Sequence, residues 1–512
     1  MTIITIFTII LAIALKSKIS PIQYTRLAAL SLLLSAFLSF NVLYTESLGV
    51  GLGMFSGLFQ VSSLSQGIET FIFVVASLIM IPWFINPANL YGNNKSLQLA
   101  TGPVLSEYPL IILFSVLGAS LLISSADLIS MYLSIELQSF AVYILATLHR
   151  DSEGSTSAGL KYFLLGGLSS CFILLGSALI YALTGLTNLE SIFSLVLSHG
   201  FDSHGGTDAN SIISIIGLLF IVIGFLFKIA AAPLHNWAPD VYDEVPSIVT
   251  TWLTIMPKIS IVIFLLDLVT STTIGSTGSN LSLVASGASI LGNAWSLPLQ
   301  NLLLVSSLLS LIIGSVVGLA QYKIKRLLAY STISHVGFLL LALGYIIKSA
   351  PASLSTSMDI RYISELRAQF VSNPLLTLSL ALCLFSMAGI PPLVGFFAKQ
   401  QILYSASYSG YYFMTIVAIL VSVISCSYYL QIIKVMHFST TVESGSNRTL
   451  TSIYSVASNG GVAEYKAPGL SMISNTHSVL ISILTLSILL FILNPNIILN
   501  STHLLALTIF IT

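Results

Sequence analysis

Charge is what this chain has least of. Only 7 % of its 512 residues are Asp, Glu, Lys or Arg, while 55 % are hydrophobic and the mean hydropathy is +0.97. A soluble domain carries about a quarter charged residues, so an ordinary water-facing surface is excluded. The 18 basic and 18 acidic residues cancel, which leaves no basic excess to attract nucleic acid. Cysteine is nearly absent. Cys171, Cys383 and Cys426 stand alone in apolar runs without a Cys-x-x-Cys spacing. They read as small packing residues, and neither an iron–sulfur ligand set nor a disulfide framework is expected. Phosphate-cradling glycine motifs in a strand–helix context are missing too, so no cofactor is expected in this chain. "SHGFDSHGG" pairs His199 with His204 but offers no third ligand, so no metal site is expected there. The N-terminus reaches its first basic residue only at Lys16. It lacks the basic start of a secretory signal and the Arg-rich pattern of a transit peptide, and reads as a first membrane helix.

What is present is a succession of apolar runs near the roughly 20 residues that cross hydrocarbon as a helix. They predict an all-α, polytopic membrane protein of about 14 transmembrane helices. The spans are placed near 1–16, 23–44, 68–86, 107–125, 127–148, 157–184, 211–235, 246–270, 298–320, 325–347, 374–391, 392–409, 411–437 and 475–494. Basic residues test the alternation, because they concentrate in loops on the inner side. Lys16, Lys18, Arg26, Lys95, Arg150, Lys323, Lys325, Arg326, Lys434, Arg448 and Lys466 fall on one side, against Lys348, Arg361 and Arg367 on the other. The first set is expected to face matrix or cytoplasm, with both termini opposite. Loop 45–67 alternates loosely and is a candidate hairpin. Loop 438–472, rich in Ser, Gly and Asn, reads as solvated, and the short apolar tail 500–512 is left unassigned.

Two segments break the pattern in the same way. "FKIAAAPLHNWAPD" (227–240) and "MAGIPPLVGFFAKQQIL" (387–403) each combine a helix break with an intramembrane lysine, Lys228 and Lys399. Paired Pro- or Gly-interrupted spans point to an inverted-repeat transporter. The predicted division is a three-helix segment with the candidate hairpin (1–106), two inverted five-helix repeats (107–270 and 298–437), each with a discontinuous helix, and a solvated loop plus C-terminal helix (438–512).

Five charges lie within spans: Glu136, Lys161, Lys228, Lys258 and Lys399. Each costs about 2.5–3.5 kcal/mol at mid-bilayer, together about 12–18 kcal/mol. They must be paired, hydrated or neutral, and such groups mark ion or proton paths. Glu136 reads as the partner of Lys161, the alternatives being a packing acid bonded to a hydroxyl and a Lys161 that snorkels to the interface. Lys228 ends a half-helix, where the dipole favours a cation. Lys258, after Pro257, is the deepest. His335 is either a relay group or a packing residue bonded to Ser331 or Ser334. His235 and Trp237 are placed to hold the first break. Asp240, Asp243 and Glu244 read as a solvated cluster.

Together, "KIAAAPLHNWAPDVYDEVPSIVTTWLTIMPKIS", "SIELQSFAVYIL" and "AGIPPLVGFFAKQQIL" resemble the antiporter-like membrane subunits of respiratory complex I over nearly the whole chain. Two family members fit less well. Subunit 4 has a glutamate where this chain has Lys399, and subunit 5 continues into a long lateral helix that nothing after residue 497 supplies. The resemblance implies a proton relay through Glu136, Lys161, Lys228, Lys258, His335 and Lys399. It implies no redox chemistry in this chain; FMN, iron–sulfur clusters and ubiquinone would sit in other subunits. The implied partners are other complex I membrane subunits, especially neighbouring antiporter-like ones, and lipids. The implied location is a multi-pass place in the mitochondrial inner membrane, or a bacterial cytoplasmic membrane, with basic loops on the matrix side. A stand-alone cation/proton antiporter would share the lysines. A purely structural subunit would gain nothing from five costly charges.

Overall fold

In hydrocarbon a backbone N–H or C=O without a partner costs several kcal/mol, so a chain that crosses it must bond within each segment. In the computed structural model the described residues are 1–15, 21–43, 51–81, 107–149, 152–199, 209–274, 296–346, 374–391, 393–438, 475–491, 495 and 500, and they are overwhelmingly helical. In chain order they form α1 (Thr2–Ala14), α2 (Pro21–Val42), β1 (Leu52–Met54), β2 (Phe59–Val61), α3 (Ser63–Met80), α4 (Tyr108–Ile123), α5 (Leu128–Thr147), α6 (Glu153–Thr184), α7 (Leu189–His199), α8 (Ala209–Lys228), α9 (Trp237–Glu244), α10 (Ser247–Ile274), α11 (Ser296–Leu319), α12 (Ile324–Ile346), α13 (Pro374–Ala388), α14 (Val394–Tyr408), α15 (Tyr412–Phe438) and α16 (Asn475–Leu490). Eight of these described helices are long and apolar enough to cross a membrane, and five shorter ones are apolar.

Each expected span falls on a helix, and the break expected after Lys228 is present, though the short helix beyond it was not expected. The run 211–235 does not continue as one helix. α8 stops at Lys228, the chain unwinds, and the separate α9 starts at Trp237. The cause is local: Pro233 supplies no amide hydrogen, and Ala230 sits at φ 61°, a left-handed conformation that a helix cannot carry. The short α7 was not expected either. Outside the described residues lie Lys16, Lys18, Lys95, Arg150, His204, Lys348, Arg361, Arg367, Pro392, Arg448, Lys466, segment 439–474 and tail 501–512, as does the side chain of His199.

Helices meet closely where glycine permits it. A Cβ on Gly118 of α4 would lie 2.6 Å from the backbone nitrogen of Gln138 on α5. On α6 and α8, Gly176 and Gly217 approach so closely that a Cβ on either would strike the other's backbone carbonyl. Close small-residue seams of this kind are how helices associate where lipid is as apolar as leucine. Hydroxyls within helices return to the carbonyl three or four residues back, as Ser31, Ser35 and Ser39 do along α2, which hides their polarity. Cys171 is exposed instead of packed, because α6 buries Ser170 and Ile173 and turns Cys171 to its outer side.

Residues 45–67 contain a two-stranded antiparallel hairpin in which Leu52 pairs with Val61. It ties the first three helices to the turn between α4 and α5. Gln60 N–H donates to the Ser124 carbonyl at 2.7 Å, and the Ser130 hydroxyl donates to Leu58 O at 2.8 Å. The same end is closed by Leu128 N–H to Thr187 O at 3.0 Å.

Candidate functional site

Asp127 caps α5 by accepting from the Ile129 amide at 2.8 Å, and Glu136 follows nine positions into that helix, more than 10 Å along its axis. Lys228 comes to it from the end of α8. Its ammonium donates to Glu136 Oε1 at 3.1 Å, to Ser139 Oγ at 2.7 Å and to Ser170 Oγ at 3.2 Å. Those three acceptors use all three N–H donors of an ammonium. The Ser170 hydroxyl itself donates to Glu136 Oε1 at 2.5 Å. The two charged side chains are only 6 % and 13 % exposed, so this is a buried ion pair completed by two hydroxyls.

Pairing of Glu136 with Lys161 is therefore corrected. Lys161 binds Asp240 at 3.3 Å, with the two side chains 57 % and 38 % exposed. The reason is helical geometry. Lys161 precedes Ser170, the α6 residue that faces Glu136, by nine positions, about 13.5 Å along the axis and half a turn round it.

The break beside Lys228 is closed by backbone and one tryptophan. Ala231 N–H donates to Leu226 O at 3.0 Å, and Trp237 Nε1 donates to the Phe227 carbonyl at 3.0 Å. The Trp237 indole stacks on Tyr162 of α6 at 4.7 Å. Trp237 thus holds the break directly, whereas His235 packs edge-on toward Tyr330 of α12.

Reading the acids of α9 as a solvated cluster holds for the exposed Glu244 and is corrected for Asp243. Asp243 is buried, accepting from Lys323 at 2.7 Å and lying 3.4 Å from Arg326 Nε. Arg326 also bonds Asp240, and Lys325 donates to Val245 O at 2.9 Å, just past the end of α9. Basic residues some 80 positions away thereby clamp α9 to the start of α12.

Lys258 follows Pro257 in α10 and is 3 % exposed. Its Nζ has no hydrogen-bond partner among the described residues and lies 5.5 Å from the centre of the Tyr242 ring. His335 lies on α12. Its Nε2 lies 3.5 Å from the Tyr429 hydroxyl, which in turn bonds Ser331. Lys399 of α14 donates to Met387 O at 2.9 Å and Ala388 O at 3.0 Å, the last carbonyls of α13, which have no helical donors of their own. Gly389 at φ 84° turns the chain there, and Phe338 of α12 lies under the ammonium at 5.6 Å.

The structure thus joins Glu136 to Lys228, sets His335 beside Tyr429, and leaves Lys161 apart with Asp240. Sequence reasoning missed Ser139, Ser170, Tyr242 and the clamp. Ser139 had a signal, since it lies one helical turn beyond Glu136. The others come from distant segments and had none. A cavity of about 20 Å³ opens beside Lys228, lined among others by Gln138, Ser139, Tyr143, Pro257 and Ile261.

The family model described as NADH:quinone oxidoreductase/Mrp antiporter, transmembrane, matches residues 125–298 and 289–425. NADH-ubiquinone oxidoreductase chain 2 of Rhizopus oryzae is 48 % identical, with 100 % of both chains covered. NADH-quinone oxidoreductase subunit N of Nitrosomonas europaea is 32 % identical over 75 % of this chain and 76 % of its own. A chain of respiratory complex I from Thermus thermophilus has a similar fold, with a TM-score of 0.67, 23 % identity and 98 % and 99 % of the two chains covered. So does a chain of an archaeal membrane-bound sulfane sulfur reductase, with a TM-score of 0.70, 18 % identity and 99 % and 95 % coverage. Family match and full-length relative agree: the chain belongs to the NADH:quinone oxidoreductase/Mrp antiporter transmembrane family, in its NADH-ubiquinone oxidoreductase chain 2 branch.

Proposed function

We propose that this antiporter-like membrane subunit translocates protons through its row of buried charges. NADH oxidation and quinone reduction by other subunits of complex I, which hold FMN, iron–sulfur clusters and ubiquinone, supply the energy. The observation that carries this reading is the buried Glu136–Lys228 pair at the broken end of α8. Withdrawing the carboxylate leaves an unpaired ammonium in hydrocarbon, at about 2.5–3.5 kcal/mol, whereas moving one charge against 100 mV requires about 2.3 kcal/mol. Separation of one pair is therefore comparable in free energy to moving one charge against that potential.

In this reading Lys228 and Lys258 take protons from the matrix side, His335 passes them on, and Lys399 hands them to the exit or to a neighbouring antiporter-like subunit. Glu136 governs Lys228 directly. Lys161, held by Asp240, stands at the outer end of the path. The blocks 107–270 and 298–437 serve as two inverted half-channels, each with its broken helix. The protein's place is the mitochondrial inner membrane, with its exposed apolar helix faces against lipid and other membrane subunits. Full-length similarity to a chain of NADH-ubiquinone oxidoreductase supports this over a stand-alone cation/proton antiporter.

Lys258→Met tests the proposal. The variant should assemble into an NADH-oxidising complex on a native gel while proton pumping in vesicles falls at least several-fold. Undiminished pumping by an assembled variant removes Lys258 from the path. Migration of the chain apart from NADH-oxidising activity rejects the complex I assignment.

A further inference from the structure

Lys258 is the buried lysine with the least to hold it. It is 3 % exposed on α10, and its Nζ has no hydrogen-bond partner among the described residues. A charge in hydrocarbon is too costly to stand alone, so whatever faces this ammonium matters. What faces it is the Tyr242 ring of α9, with Nζ over the ring 5.5 Å from its centre. The negative face of an aromatic ring attracts a cation within about 6 Å, and away from water the contact is worth roughly a factor of 30 in an equilibrium.

The ring, and not the hydroxyl, is the part of Tyr242 that the fold has placed. Its hydroxyl is buried without a hydrogen-bond partner among the described residues. The ring is fixed from both sides along α9. Trp237 meets it edge-on with 5.9 Å between ring centres, and the next residue, Asp243, is buried and bound to Lys323 at 2.7 Å. The second half of the chain repeats the contact with a ring that has no hydroxyl at all: Phe338 lies under Lys399 at 5.6 Å. Lys399 has two carbonyls besides its ring, and Lys228 has a carboxylate and two hydroxyls. Lys258 therefore depends on its ring most.

We propose that Tyr242 is a positioning residue: its ring face holds the Lys258 ammonium in place while that lysine carries a proton, and the ion pairs of α9 hold the ring. The clamp on α9 and Lys258 are thereby linked through one side chain. This role rests on the reading of Lys258 as a proton carrier.

The test measures NADH-driven proton pumping by the assembled complex in vesicles, and the melting temperature of the same complex after purification. Tyr242→Phe, which keeps the ring, should retain most of the pumping. Tyr242→Leu, which removes the ring, should slow it about fivefold or more. Equal pumping by the two variants overturns the proposal. A ring that acts through the lysine is also worth less once the charge is gone. Tyr242→Leu should therefore lower the melting temperature clearly less in a Lys258→Met background than in the native one. Equal lowering in both shows a ring that packs independently of the lysine, and overturns the proposal. Should Tyr242→Leu fail to assemble, assembly restored by adding Lys258→Met supports the role, and failure in both backgrounds reduces the ring to a core contact and overturns it. Lys258→Met alone is run alongside. Normal pumping in it rejects the reading of Lys258 as a carrier, whereas slow pumping in it with normal pumping in Tyr242→Leu rejects the role of the ring alone.

Discussion

Lys228 and Lys399 meet one physical problem, an ammonium in a low-dielectric interior, with different chemistry. Lys228 is neutralised by a carboxylate and two hydroxyls. Lys399 is held by the free carbonyls of a helix end and by a ring face, using the partial negative charge that a helix C-terminus carries. The first arrangement is a formal ion pair and depends on both partners. Glu136→Gln strands the Lys228 charge and should lower the unfolding free energy of the chain by about 3–5 kcal/mol. The double variant Glu136→Gln/Lys228→Met removes both charges and should recover most of that loss. Thermal or denaturant unfolding of the four-member mutant cycle measures it, and additive losses would show that the two residues act independently.

Broken helices need something to hold the pieces, and here the holding is done from outside the break. α9 is anchored by Trp237, which bonds back to the end of α8, and by Lys323, Lys325 and Arg326 at the start of α12. The basic run "KIKR" therefore has a structural use besides its part in the loop charge bias. Asp243 is the buried member and Asp240 the half-exposed one, so their substitutions should differ. Asp243→Asn should destabilise the purified protein by about 1–3 kcal/mol, and Asp240→Asn by less than about 1 kcal/mol, as for ion pairs open to water. Melting curves of the two variants side by side check the order. α9 itself was invisible in the sequence because its eight residues, "WAPDVYDE", carry three acids and a proline and lie within what periodicity treats as a loop.

Across the whole molecule, the loop charge bias predicts an orientation for the chain. Tyr322 sits in the loop before α12, in the basic set, and Phe55 sits at the hairpin tip, in the opposite set; they are 84 % and 71 % exposed. A cysteine at Tyr322 should react with a membrane-impermeant maleimide only from the matrix side, and one at Phe55 only from the other, in right-side-out and inverted vesicles. Labelling of both from one side would reject the predicted topology. The hairpin end is also where the N-terminal helices are fastened to α4–α6, through hydrogen bonds from Gln60 and Ser130.

Composition and hydropathy alone determined the class, because a chain with 7 % charge and many 20-residue apolar runs has no alternative to crossing a membrane. Burial cost alone picked out Glu136, Lys161, Lys228, Lys258 and Lys399, since the expense of a charge in lipid depends on where it falls in a span and not on its neighbours; Lys161 proves to be 57 % exposed. Which charge meets which depended on the tertiary structure. Periodicity relates residues on one helix, but the partner of Glu136 arrives 92 positions later at the end of α8, and the clamp on α9 comes from about 80 positions downstream. Only the relative rotation and depth of packed helices decide such pairs, and that is why Lys161, close to Glu136 in the sequence, is bound to Asp240 instead.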